Sequence, residues 1–132
     1  MSTKSVAEKL LIKPNTAIWL SDPSHRGLVE PLPDGVRPVT EMAEATTAVL
    51  ITSDAASLRA MLPAHRDQLS NPATLWVAYP KANRSDINRD TLWPILGEYG
   101  MRPIAQVAVD EVWSALRFRP IREEEAPFTG GR

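Results

Sequence analysis

The chain has no cysteine, which excludes disulfides, thiolate metal ligands and thiol chemistry and leaves a reducing compartment permitted. Histidine occurs only twice, and no His, Asp or Glu spacing matches a dedicated metal site. No apolar run approaches the ~20 residues that span a bilayer, and Met1–Ser5 leads into a charged helix. A cytoplasmic location without membrane contact is expected. Neither sign of charge is in excess: the formal net charge of -1 lacks the basic footprint of a general nucleic-acid binder, so no nucleic-acid partner is expected. Glycine is scarce, six residues in 132, a shortage that bears on ligand binding below.

Proline, in contrast, is abundant, with twelve residues, and each one removes a ladder donor wherever it falls. Thr74–Tyr79 is apolar enough for a strand buried on both faces of a parallel sheet, and it leads through Pro80 to Lys81. Strands at Thr16–Leu20 and Thr47–Thr52 have the same character. Val36–Thr40 contains Pro38 and so belongs on an edge; Ile104–Val109, opened by Pro103, belongs on the other. Trp113–Arg119 returns from it as a hairpin, with Ser114, Leu116 and Phe118 on one face.

Between these strands, Ser5 and Glu8 form a capping box for a helix to about Ile12. The Pro23–Gly35 crossover has room only for a short helix within Leu28–Leu32. Ser53 is expected to cap a helix carrying Leu58, Met61, Leu62, His65 and Leu69 on its inner side, restarted near Pro63. A last helix begins at Asn88 or Asp90 and stops at Gly100.

Alternating strands and helices predict one α/β domain over residues 1–121, with a disordered polar tail at 122–132. It is a three-layer Rossmann-like fold with a mostly parallel six-stranded sheet in the order 2-1-3-4-6-5 and a C-terminal antiparallel hairpin. That order resembles the sheet of class I methyltransferases, shortened by one strand-helix unit. Order reverses between the first and third strands, so a crevice is expected beside Asp22 and Ser53.

A second resemblance rests on the runs Leu10–Pro14, Leu75–Lys81 and Val109–Phe118. The Tyr79-Pro80-Lys81 and Asp110-Glu111-Val112-Trp113-Ser114 motifs are its specific parts. On these the chain resembles the bacterial domain of unknown function 3052 family, a likeness that covers nearly the whole chain and implies no catalytic residues.

The methyltransferase resemblance implies a glycine-rich turn after the first strand, where backbone approaches S-adenosylmethionine. The chain has Asp22-Pro23-Ser24-His25-Arg26-Gly27 there, with one glycine and a proline that lacks a donor, so that cofactor is disfavoured. Glu41 stands where such folds hold ribose, and equally reads as a solvated carboxylate. Lys81, Arg84 and Arg89 could receive a phosphate or carboxylate, or pair with Asp86 and Asp90. Trp113 is a stacking wall or a hairpin packing residue, while Trp19, Trp76 and Trp93 belong to the core. His25, next to Ser24 and Asp22 in one proline-bounded loop, does not have the spacing of a hydrolytic triad.

These residues point to a non-catalytic binding or regulatory module for a small anionic or nucleotide-like ligand, held by Asp22, Arg26, Ser53, Lys81, Arg84 and Trp113. The alternatives are a divergent methyltransferase-like transferase, with Asp110 or Glu111 acting on a proton, and a homodimeric interaction module.

Overall fold

The structure is a computed structural model that describes residues 6–30, 32–81 and 89–121. Ser5, residues 82–88 with Arg84 and Asp86, and residues 122–132, expected from sequence to be a disordered tail, lie outside the described residues. Six strands follow the apolar runs: β1 (Ala17–Leu20), β2 (Arg37–Pro38), β3 (Thr47–Ile51), β4 (Thr74–Pro80), β5 (Met101–Ala108) and β6 (Trp113–Pro120). They form one sheet in the order 2-1-3-4-6-5. The first four are parallel, and β6 runs antiparallel to both β4 and β5. β3 is buried throughout, as a central parallel strand with helices or turns on both sides should be.

Proline sets both edges. Pro38 limits β2 to two exposed residues. Pro103 lies inside β5 rather than opening it, and the register shifts between Pro103 and Ala105, a bulge at the edge strand.

The sheet buries its two faces differently. On one, α2 (Ala55–His65) and α3 (Arg89–Gly97) pack Leu58, Leu62, Leu92, Ile95 and Leu96 against Leu50, Leu75, Val77 and Leu116. On the other, α1 (Val6–Lys9) and the first crossover pack Ala7, Leu10, Ile12 and Val29 against Ile18, Val49, Trp76 and Ala115. Trp19 and Trp76 are core residues, and Trp93 packs half-buried at the margin. His65 is half-buried with its ring edge-on to Trp19 at 4.9 Å, a structural histidine.

Several element boundaries differ from the sequence expectation. Helix α1 stops at Lys9 because Leu11 takes a left-handed conformation (φ 62), and the Ile12 and Leu11 amides donate back to the Ala7 and Glu8 carbonyls. That closes the helix in a Schellman motif without glycine. The first crossover holds no helix at Leu28–Leu32; a 3-10 segment, Pro23–Leu28, forms earlier because Asp22 caps it. Asp54, not Ser53, caps α2: its Oδ1 accepts from the Ser57 amide at 2.7 Å, the spacing of an N-cap carboxylate to the third residue beyond. That bond, chiefly from the backbone of Ser57, holds the Asp54 carboxyl below the usual carboxylate range. The helix is not restarted near Pro63, which lies inside α2; the break comes after His65, where a 3-10 turn forms at Arg66–Gln68.

Candidate functional site

Because β1, β3 and β4 are parallel, the residues that follow them leave the sheet along one rim, and antiparallel β6 begins at that rim. Pro80 lies opposite Trp113, and the Lys81 amide donates to the Val112 carbonyl at 2.7 Å. Asp22, Ser53, Lys81 and Trp113 therefore stand at the same edge of the sheet. The turn after β1 reaches the hairpin directly, since the His25 and Trp113 rings meet edge-to-face with centroids 5.7 Å apart and planes at 72°.

Asp22 organises that turn. Its Oδ1 accepts from the Ser24 amide at 3.0 Å and the Ser24 hydroxyl at 2.6 Å, and its Oδ2 faces His25 Nδ1 at 2.9 Å. The Ser24 hydroxyl, then the Ser24 amide, then the His25 ring hold the carboxyl below the usual carboxylate range. Facing an ionised carboxylate, Nδ1 carries the imidazole proton and donates. Ser24 thus gives its hydroxyl to the carboxylate rather than to the imidazole, an order in which no serine is activated.

At the switch point between β1 and β3, Ser21 stitches the two strands together. Its Oγ accepts from the Ile51 amide at 2.7 Å, and its own amide donates to the Val49 carbonyl. These bonds close the gap between the two strands at the point where the sequence expects a crevice.

The other predicted residues fall in different places. Arg26 leaves the same 3-10 segment as His25 but lines a separate cavity of about 70 Å³ with residues of β1 and β2. Its Nε lies 3.6 Å from Glu30 Oε2, with both side chains about half exposed. Ser53 is exposed beside the cap of α2. Lys81 is half-buried, and among the described side chains, which do not include those of Arg89 and Asp90, no carboxylate lies within ion-pair distance of it. Glu41 is exposed and makes no side-chain capping bond. Asp110 closes the hairpin: its Oδ1 accepts from the amides of Val112 and Trp113, both at 2.7 Å. Among the described residues no group of His, Asp and Glu could hold a metal ion, and no helix is long and apolar enough to cross a membrane.

Sequence reasoning missed the part His25 plays. Its partner lies 88 positions away (113 minus 25), and only the strand order, which brings the start of β6 to the exit of β4, could have indicated the contact.

No family model and no curated protein matches the chain. Solved structures do. A candidate tRNA (m1A22) methyltransferase from Streptococcus pneumoniae superposes with a TM-score of 0.58 at 11% identity, over 95% of this chain and 70% of that one. A protein of the NADB-Rossmann superfamily from Streptococcus agalactiae gives 0.57 at 12% identity, over 98% and 72%. The tRNA methyltransferase TrmK of B. subtilis gives 0.53 at 15%, over 87% of this chain and 63% of its own. At these identities the likeness establishes the fold: a single α/β domain of Rossmann methyltransferase-like architecture.

Proposed function

We propose that the chain is a methyltransferase-like Rossmann module whose strand-end rim binds a small anionic or nucleotide-like ligand, with Lys81 as the cation and Trp113 as the apolar wall. Ser53 flanks this rim, and Arg84, outside the described residues, is a further candidate cation. One observation carries the reading. His25 fastens the turn after β1 to Trp113, while the strand pairing sets Pro80 opposite Trp113 and ties the next residue, Lys81, by its amide to the Val112 carbonyl, with no ion pair to Lys81 among the described side chains.

Two of the rim carboxylates are already engaged within the protein. Asp22 is engaged by Ser24 and His25, and Asp110 by two hairpin amides. Both therefore hold turns of the rim, and Glu111, next to Asp110, stays the candidate for proton transfer in the second reading. Membership of the domain of unknown function family belongs to the same proposal. The two motifs that carry the resemblance pair with each other across β4 and β6, Tyr79 with Ser114 and Pro80 with Trp113, so they adjoin the proposed site.

Methyl transfer is the second reading, favoured by the likeness to methyltransferase structures. The turn after β1 does not fit S-adenosylmethionine in the manner those folds imply. Pro23 has no amide hydrogen, and the Asp22 carboxylate already occupies the start of the 3-10 segment, where an incoming anion would meet free amides.

Thermal-shift titration with AMP, ATP, sugar phosphates, S-adenosylmethionine and its demethylated product tests the proposal. A ligand at a hundred times its Kd adds about 2.7 kcal/mol of stability, a shift of roughly 10 °C for a domain of this size. Lys81→Ala is expected to abolish that shift while leaving the unliganded Tm within about 2 °C, as for other surface changes. No shift with any of these compounds, or a shift that Lys81→Ala leaves intact, contradicts the assignment. A shift confined to the two methyl-donor compounds moves the conclusion to the second reading.

A further inference from the structure

We infer that the cavity under the first crossover is a second binding site, for a short branched-chain carboxylate. The space has a structural origin. A doubly wound fold ordinarily covers β1 with a full α-helix, whereas here the covering element is a six-residue 3-10 segment, which is thinner and ends sooner. A cavity of about 70 Å³ is left between β1, β2 and the crossover, lined among others by the fully buried Val29.

Its walls define the ligand. The side chains of Ile18, Leu20, Val29, Leu32 and Val39 are hydrocarbon, and among the described residues Arg26 is the one charged residue lining it. A hydroxyl or amine buried against these walls would lose its hydration without replacement, so the inserted group is apolar. At ~10–15 Å³ per water-sized sphere the volume holds roughly five such spheres, the size of a four- or five-carbon branched chain. The Arg26 pair with Glu30 spans 3.6 Å, longer than a charge-assisted hydrogen bond, and the guanidinium fork keeps further donors for a carboxylate at the mouth. A 3-methylbutanoate-type acid meets both demands: its isobutyl group fills the cavity and its carboxylate pairs with Arg26. So few buried atoms place the Kd on the order of millimolar.

The test uses the full chain, with Ile, Leu and Val methyl groups labelled, titrated with 3-methylbutanoate and observed by proton-carbon NMR. The methyl signals of Ile18, Leu20, Val29, Leu32 and Val39 should shift together and saturate. The isosteric 3-methylbutanamide should bind about tenfold more weakly, because it cannot form the charge-assisted pair. Acetate, too small, and octanoate, too long, should be weaker as well. Arg26→Gln should reduce affinity for the acid to that of the amide. Lys81→Ala should leave these methyl shifts unchanged, which separates this site from the rim. Absence of saturating shifts at about 50 mM acid, equal binding of acid and amide, or shifts confined to methyls elsewhere would each overturn the proposal.

Discussion

Replacing Trp76 with alanine should lower the stability of the domain by about 3–5 kcal/mol and its Tm by roughly 10–20 °C. Trp76 sits in the middle of β4 and is 1% exposed, packed among the side chains that α1 and the first crossover lay on the sheet. Alanine would leave a cavity that the surrounding strands can close only in part. The indole also makes a polar contact, since its Nε1 donates to the Leu10 carbonyl at 2.9 Å, at the end of the four-residue helix α1. A helix this short does not hold itself together, so its position depends on that bond and on Leu10 and Ile12. Trp76→Phe separates the two effects by keeping most of the volume and deleting the donor, and should cost about 1–3 kcal/mol. Urea unfolding followed by circular dichroism measures both. With total stabilities of about 5–15 kcal/mol typical of such domains, that loss removes from about a fifth to nearly all of the stability. A loss under about 1 kcal/mol would mean that the packing of this face is not as described.

The second large effect is expected at Gly35, which stands before β2 at φ +78. A Cβ placed there would overlap the Asn15 side-chain oxygen, and Asn15 is itself left-handed at φ 61 and donates its amide to the Asp34 carbonyl. Two left-handed residues in contact leave little room to adjust. Gly35→Ala should cost about 2 kcal/mol, from the disfavoured backbone and the displaced asparagine, and Gly35→Val about 3 kcal/mol or more. Adding Asn15→Gly to Gly35→Ala should restore about half the loss, because the overlap goes and only the φ penalty at position 35 remains. Differential scanning calorimetry of the single and double variants gives the comparison; additive losses would contradict the contact. The consequence for binding is local. β2 has only two residues, and its end supplies Pro38 and Val39 to the cavity, so cavity binding should weaken in Gly35→Ala while rim binding persists.

The sheet is legible from sequence because two prolines mark its edges and three apolar runs mark its centre, and right-handed crossovers then leave one order. Pro38 and Pro103 do fall on edge strands, and Leu58, Leu62, Leu92, Ile95 and Leu96 do turn inward. The errors concern local competition between polar side chains. Ser53 and Asp54 are adjacent and both can cap a helix. Backbone direction after β3 decides between them, and no pattern of hydrophobic residues carries that information. In the first crossover, Asp22 starts a 3-10 turn that uses up the chain before the expected helix at Leu28–Leu32 can form. Of the candidate site, Asp22, Lys81 and Trp113 are assignable to one rim from strand direction alone. The division of the crossover, with His25 toward the hairpin and Arg26 toward β2, depends on the handedness of a six-residue turn and has no signal in the sequence.

The account depends most on the rim being a single place, joined where the His25 and Trp113 rings meet. A nuclear Overhauser spectrum of the full chain measures this directly. Cross-peaks are expected between the imidazole carbon-bound protons of His25 and the indole protons of Trp113, with His25 signals displaced by the indole ring current and returning toward ordinary positions in Trp113→Leu. Absent cross-peaks, together with His25 signals that do not respond to Trp113→Leu, would place the two residues apart and remove the geometry on which rim binding rests.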